Sequence, residues 1–167
     1  DYTLAEYEQF LIDIAFINRL TGDERVLKKT LLMEIEQSDL RKFSVLDVGA
    51  GSGELLRTIA KFARKRNAKI ELYGLELNEI SAKAILDESK DFDEINSIRG
   101  NALELPFADN SFETVVTTHT LEHVKNLELA VSEIKRVASK QVIIVVPRQR
   151  PYKYTFSLHT QFFPYQW

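Results

Sequence analysis

At 167 residues, 44% hydrophobic and 28% charged, the chain has the profile of one globular domain, 1–167, with apolar material for a single core. A formal charge of −3 gives no global electrostatic case for a nucleic-acid partner, and the lack of cysteine excludes disulfides, thiolate metal sites and cysteine nucleophiles while fitting the reducing cytoplasm. No apolar run approaches the roughly 18 residues of a membrane span, and Asp1–Leu20 alternates acids with apolar residues instead of following basic residues with apolar ones, so neither insertion nor export is expected.

From Leu4 to Leu20 the residues Leu4, Tyr7, Leu11, Ile14, Ala15 and Ile17 fall largely on one helical face, Thr21-Gly22-Asp23 punctuates the chain, and a second helix is expected over about Glu24–Glu36. These helices, within 1–40, would cap the sheet or its ligand cleft. The pattern then changes. Phe43–Val48 is a short apolar run broken by Gly49, Gly51 and Gly53, and Glu54–Arg66 reads as a helix. Its basic end, Lys61, Arg64, Lys65 and Arg66, complements the helix dipole.

The alternation continues with a strand at Lys69–Leu75, a helix at Glu79–Ser89, and strands at Ile95–Arg99 and Thr114–Thr118. A helix near Leu127–Val137 and a strand at Gln141–Val146 complete it. Such alternation predicts an α/β fold: a Rossmann-like three-layer αβα sandwich with a mainly parallel sheet. The apolar Val142–Val146 suits a central strand buried on both sides. The mixed basic and aromatic stretch Pro147–Tyr154 reads as an ordinary loop leaving that strand.

A glycine turn between strand and helix lets backbone approach a ligand, and free N–H groups at the helix start favour a polar or anionic group. Dinucleotide-binding folds show G-x-G-x-x-G, whereas Gly49, Gly51 and Gly53 are spaced G-x-G-x-G with Asp47 just before them. An acid there would repel a pyrophosphate and attract an ammonium or a sulfonium, which disfavours a nicotinamide-dependent oxidoreductase.

The acid-x-G-x-G-x-G segment Asp47–Gly53 resembles that of class I S-adenosylmethionine-dependent methyltransferases. The likeness spans roughly Phe43–Pro147 and is nearest the ubiquinone/menaquinone-biosynthesis-like group, in which Leu121-Glu122-His123-Val124 is a frequent signature. It implies a core, 43–147, that binds S-adenosyl-L-methionine and releases S-adenosyl-L-homocysteine. Asp47, Gly49, Ala50, Gly51 and Gly53 would hold the donor's methionine end, and Glu76 its ribose hydroxyls beside Leu77. Asn101, where the family usually has Asp, would accept from the adenine amino group through its amide oxygen, with Ala102 and Leu103 against the ring. Thr118 and His119 would line the meeting point of donor and acceptor. Glu113 also stands where Asp is commoner.

Displacement at a sulfonium needs alignment above all, and a general base helps where the acceptor is a hydroxyl or amine. His119, His123 and His159 are the candidates, since all three lie where an acceptor would arrive. His119-x-x-Glu122-His123 partly matches the E-x-x-E-H pattern of some metal-dependent methyltransferases. The reading preferred is that this segment hydrogen-bonds backbone near the cleft and no metal is held. The expected function is methyl transfer to a small molecule. A non-catalytic S-adenosylmethionine-binding or regulatory protein and an RNA methyltransferase are the alternatives.

The complete family fold ends in two further strands, so 148–167 is expected to begin the substrate-side C-terminal region of a chain continuing past Trp167. A sheet lacking those strands would expose an edge beside Val142–Val146 and invite a homodimer.

Overall fold

The computed structural model describes residues 43–147 together with Lys29 and Met33. Within the expected cap only those two positions are described; both are helical and exposed. The rest of 1–40, and 148–167 with His159, lie outside the described residues. In the core, β1 (Phe43–Val48), α1 (Glu54–Arg64), β2 (Ile70–Glu76), α2 (Glu79–Glu88) and β3 (Ile95–Arg99) lead to β4 (Phe112–Thr118). A 3-10 turn (Leu121–His123), α3 (Leu127–Val137) and β5 (Ala138–Val145) follow.

The strands form one five-stranded sheet in the order β3-β2-β1-β4-β5 with every pairing parallel. Strand period places Val45 of β1, Leu72 of β2 and Val116 of β4 on one face, against Leu56 and Ile59 of α1 and Ile85 of α2. The intervening residues Leu46, Val48, Leu75 and Val115 face the other way, against Ala130, Ile134 and Val137 of α3. Helices therefore cover both faces, as the alternation predicts, and each fully buried Leu or Ile contributes about 1.5–3 kcal/mol. Gly74 of β2 allows α1 and α2 to pack close, since a Cβ there would lie 2.8 Å from Ile85 Cδ1 and 3.0 Å from Leu56 Cδ1.

One expectation is corrected. The apolar run Val142–Val146 suits a central strand buried on both sides, but among the described residues β5 is an outer strand and Ile144 is 41% exposed. Among the described residues no side chain of β5 is fully buried, so the apolar run marks a strand without fixing its place in the sheet or the cover on its faces. β5 also begins earlier than expected, at Ala138, because its pairing with β4 starts at Phe112 and passes an irregularity before Thr114. No helix of the described residues is long and apolar enough to cross a membrane.

Candidate functional site

Strand order decides where a ligand can lie. β2 and β3 run outward from β1 on one side and β4 and β5 on the other, so the connections leaving the C-terminal ends of β1 and β4 part company and open a crevice. Asp47, the glycine turn, Glu76, Asn101 and the Thr118–Thr120 segment all stand at this edge, which brings together the candidates the motifs single out.

The turn after β1 is built from left-handed backbone. Gly49 has φ +80°, and a Cβ on it would lie 2.1 Å from Thr120 Oγ1, so the loops after β1 and β4 interlock there. Gly51 has φ +59° with nothing within 4 Å of a Cβ, so its backbone borders open space. Its N–H donates to Glu76 Oε1 at 2.6 Å, while Gly49 N–H donates to Leu75 O at 2.9 Å. The N-caps of α2 and α3, Asn78 and Asn126, accept from Ser81 and Leu129 N–H. α1 starts at Gly53 with no side-chain cap, so its first turn presents backbone N–H groups to whatever enters.

Asp47 is 1% exposed, and its Oδ1 meets no hydrogen-bond partner among the described residues. Burial pushes its carboxyl up to about 8, with the charge of Glu76 adding to the effect. Burial also raises Glu76, against the stabilising N–H donors of Gly51 and Leu77. Two under-solvated acids side by side favour a cation and oppose a pyrophosphate. The set fits a ligand carrying an ammonium or sulfonium and a diol: Asp47 supplies a buried carboxyl with an orphaned oxygen, which an arriving cation would ionise, Gly51 an open cradle, and Glu76 an acceptor at the end of the next strand.

Leu77 is 67% exposed beside Glu76, an apolar surface on the rim. Asn101 is exposed, and its Oδ1 accepts Leu103 N–H at 2.9 Å. Its amide thus shapes the loop and retains one lone pair for a ligand donor. Ala102 and Leu103 are half-buried.

At the end of β4, Thr118 and the following His119 are half-buried, and His119 has φ +52° with its N–H donating to Val145 O at 2.9 Å. Glu122 is 2% exposed with Oε1 3.7 Å from His119 Nδ1. His123 is exposed, so the structure groups His119 with Glu122 and leaves His123 outside that pair. Among the described residues no three acidic, histidine or cysteine side chains are arranged to hold a metal ion.

Motif reading missed the device that holds the loop after β3. Arg136 of α3 donates to Leu105 O, Phe107 O and Asp109 Oδ1, and forms two hydrogen bonds to Glu133. Glu133 in turn accepts Leu105 N–H at 2.8 Å. Phe107 packs edge-on against Tyr73 and Phe112, with centroids 6.2 and 4.8 Å away. The Glu133–Arg136 spacing was readable as a helical pair; that its partner is a loop some thirty residues earlier was not.

Residues 46–146 match the model of the methyltransferase domain. The chain is 33% identical over 119 residues to the ubiquinone/menaquinone biosynthesis C-methyltransferase UbiE of Rickettsia prowazekii, covering 70% of this chain and 47% of that protein. It is 35% identical over 96 residues to a sterol 24-C-methyltransferase of Gibberella zeae, covering 56% and 24%. The chain thus spans about half the length of the UbiE relative and about a quarter of the sterol one. Its fold is similar to an S-adenosylmethionine-dependent methyltransferase from Aquifex aeolicus, with TM-score 0.66 and 16% identity over 93% of this chain and 78% of that one. A putative methyltransferase from Methanococcus maripaludis gives 0.68 and 16% over 86% and 64%.

Proposed function

The chain belongs to the methyltransferase-domain family, and from that premise we propose that it binds S-adenosylmethionine and transfers its methyl group to a small-molecule acceptor. The observation that carries the reading is the buried carboxyl of Asp47 beside the open glycine cradle. Asp47 would hold the donor's ammonium, α1 and the glycine turn its polar methionine end, Glu76 its ribose hydroxyls, and Asn101 with Leu103 its adenine. When bound, the cofactor supplies an activated methyl group and a sulfur leaving group. The chain's share is to orient the two reactants and keep water out, which alone supplies several kcal/mol of a displacement barrier.

A small molecule is favoured as acceptor because the net charge is −3 and the described cleft rim carries acids and apolar residues. The relatives' names, C-methyltransferases of quinone and sterol compounds, agree with that class. His119, half-buried directly after β4, is the proposed proton acceptor there. Calorimetric titration with S-adenosylmethionine, S-adenosylhomocysteine and NAD tests the reading. Binding of the sulfur nucleosides alone is expected; binding of NAD and neither of them would overturn it.

A further inference from the structure

Glu122 has no role in the cofactor-binding reading. It lies 2% exposed in the 3-10 turn after β4, with Oε1 3.7 Å from His119 Nδ1. Burying a carboxylate is costly unless a partner answers it. His119 is itself held at a cost: at φ +52° a side-chain-bearing residue sits roughly 1–2 kcal/mol above its ordinary backbone conformation. A turn needing only that backbone would be better served by glycine. Val145 O accepts the His119 backbone N–H at 2.9 Å, which pins this turn against β5.

Resting on the methyltransferase reading, we propose that Glu122 is a positioning residue that holds the His119 imidazole as its Nδ1–H tautomer, making Nε2 the basic nitrogen presented to a hydroxyl or enol acceptor. The second nitrogen of a histidine is set by what the first one meets, and a carboxylate beside Nδ1 draws the proton there. In the step this serves, the acceptor's O–H proton passes to Nε2 and the bonding pair stays on oxygen, giving a nucleophile conjugated through oxygen or carbon. The Nδ1 to Oε1 separation is longer than a hydrogen bond, and such contacts tighten when the substrate arrives.

Nitrogen NMR of the imidazole rings tests the tautomer, with His119→Gln identifying the resonances. In the parent, free and with S-adenosylhomocysteine, His119 is expected to carry its proton on Nδ1. Glu122→Gln should give mixed tautomers while S-adenosylhomocysteine affinity stays within about twofold. An Nε2–H tautomer in the parent overturns the proposal without any variant, as does an unchanged tautomer in Glu122→Gln. The proton-accepting role is read with 4-nitrophenol added to the S-adenosylhomocysteine complex below the phenol's own pKa. A phenolate band is expected, lost in His119→Gln and reduced about tenfold, one pK unit, in Glu122→Gln; no band in the parent overturns that role. Failure to bind S-adenosylhomocysteine would instead overturn the methyltransferase reading, since the free protein still reports the tautomer.

Discussion

Two acids of the same fold are treated in opposite ways. Glu133, under the loop after β3, is answered by Arg136 and by Leu105 N–H, and that hydrogen bonding pushes its carboxyl down to about 2. Asp47, at the end of β1, has an oxygen without a hydrogen-bond partner among the described residues and is pushed up to about 8 by burial. The satisfied acid holds a loop in place; the unsatisfied one is a demand for a ligand. Where both kinds occur on one scaffold, the state of satisfaction separates architecture from site more sharply than residue type does.

The largest expected effect is on binding at the unsatisfied acid. Asp47→Asn should weaken S-adenosylhomocysteine by about 10–100-fold, the loss of a charged hydrogen bond of about 1.5–3 kcal/mol, read by calorimetry. Unchanged affinity would break the comparison. The same substitution should leave the free protein more stable at alkaline pH. Asp47 keeps its proton in the folded chain up to about pH 8, whereas unfolded it ionises near pH 4. Its contribution is therefore complete below about pH 4 and lost as pH rises through 8, so the parent's unfolding midpoint should fall across that window more steeply than that of Asp47→Asn.

Glu133 should show the mirror image. Its lowered pKa makes its contribution complete above pH about 4.5 and lost as pH falls toward 2. Thermal unfolding of Glu133→Gln against pH should lack part of the parent's acid limb while its alkaline limb is unchanged. Next in size is Arg136→Met, which frees the loop from Leu105 to Asp109. It should lower the unfolding midpoint at neutral pH and weaken adenosine and S-adenosylhomocysteine by the same factor, about tenfold, because the adenine wall moves and the methionine end does not. The smallest is Gly51→Ala. The φ of +59° costs it about 1 kcal/mol of stability, with affinity falling further because the new Cβ points into the cradle.

The strand-loop-helix at Phe43–Arg64, the parallel class of the sheet and the ring of candidate positions at its carboxyl edge were legible because they depend on local period and turn chemistry. Glu76 was found by its distance along the chain from the glycines, and the structure puts its carboxylate on Gly51 N–H. What escaped is non-local. Glu113 accepts from Ser44 across 69 positions, and Arg136 reaches the loop after β3 across 27 to 31; neither pairing leaves a periodic trace. The left-handed turn at His119 escaped for a different reason, since no glycine announces it.

The contact between Gly49 and Thr120 has a consequence for how such pockets can change. The two positions share one methyl group's worth of volume, yet they are not equivalent claimants to it. Backbone φ of +80° would strain a side chain at 49 even if the space were cleared, while Thr120 can shrink to serine or alanine with no backbone penalty. Adaptation is therefore one-sided: position 49 is the fixed member and position 120 the adjustable one. Any engineered widening of this pocket for bulkier sulfonium donors has its starting point at Thr120.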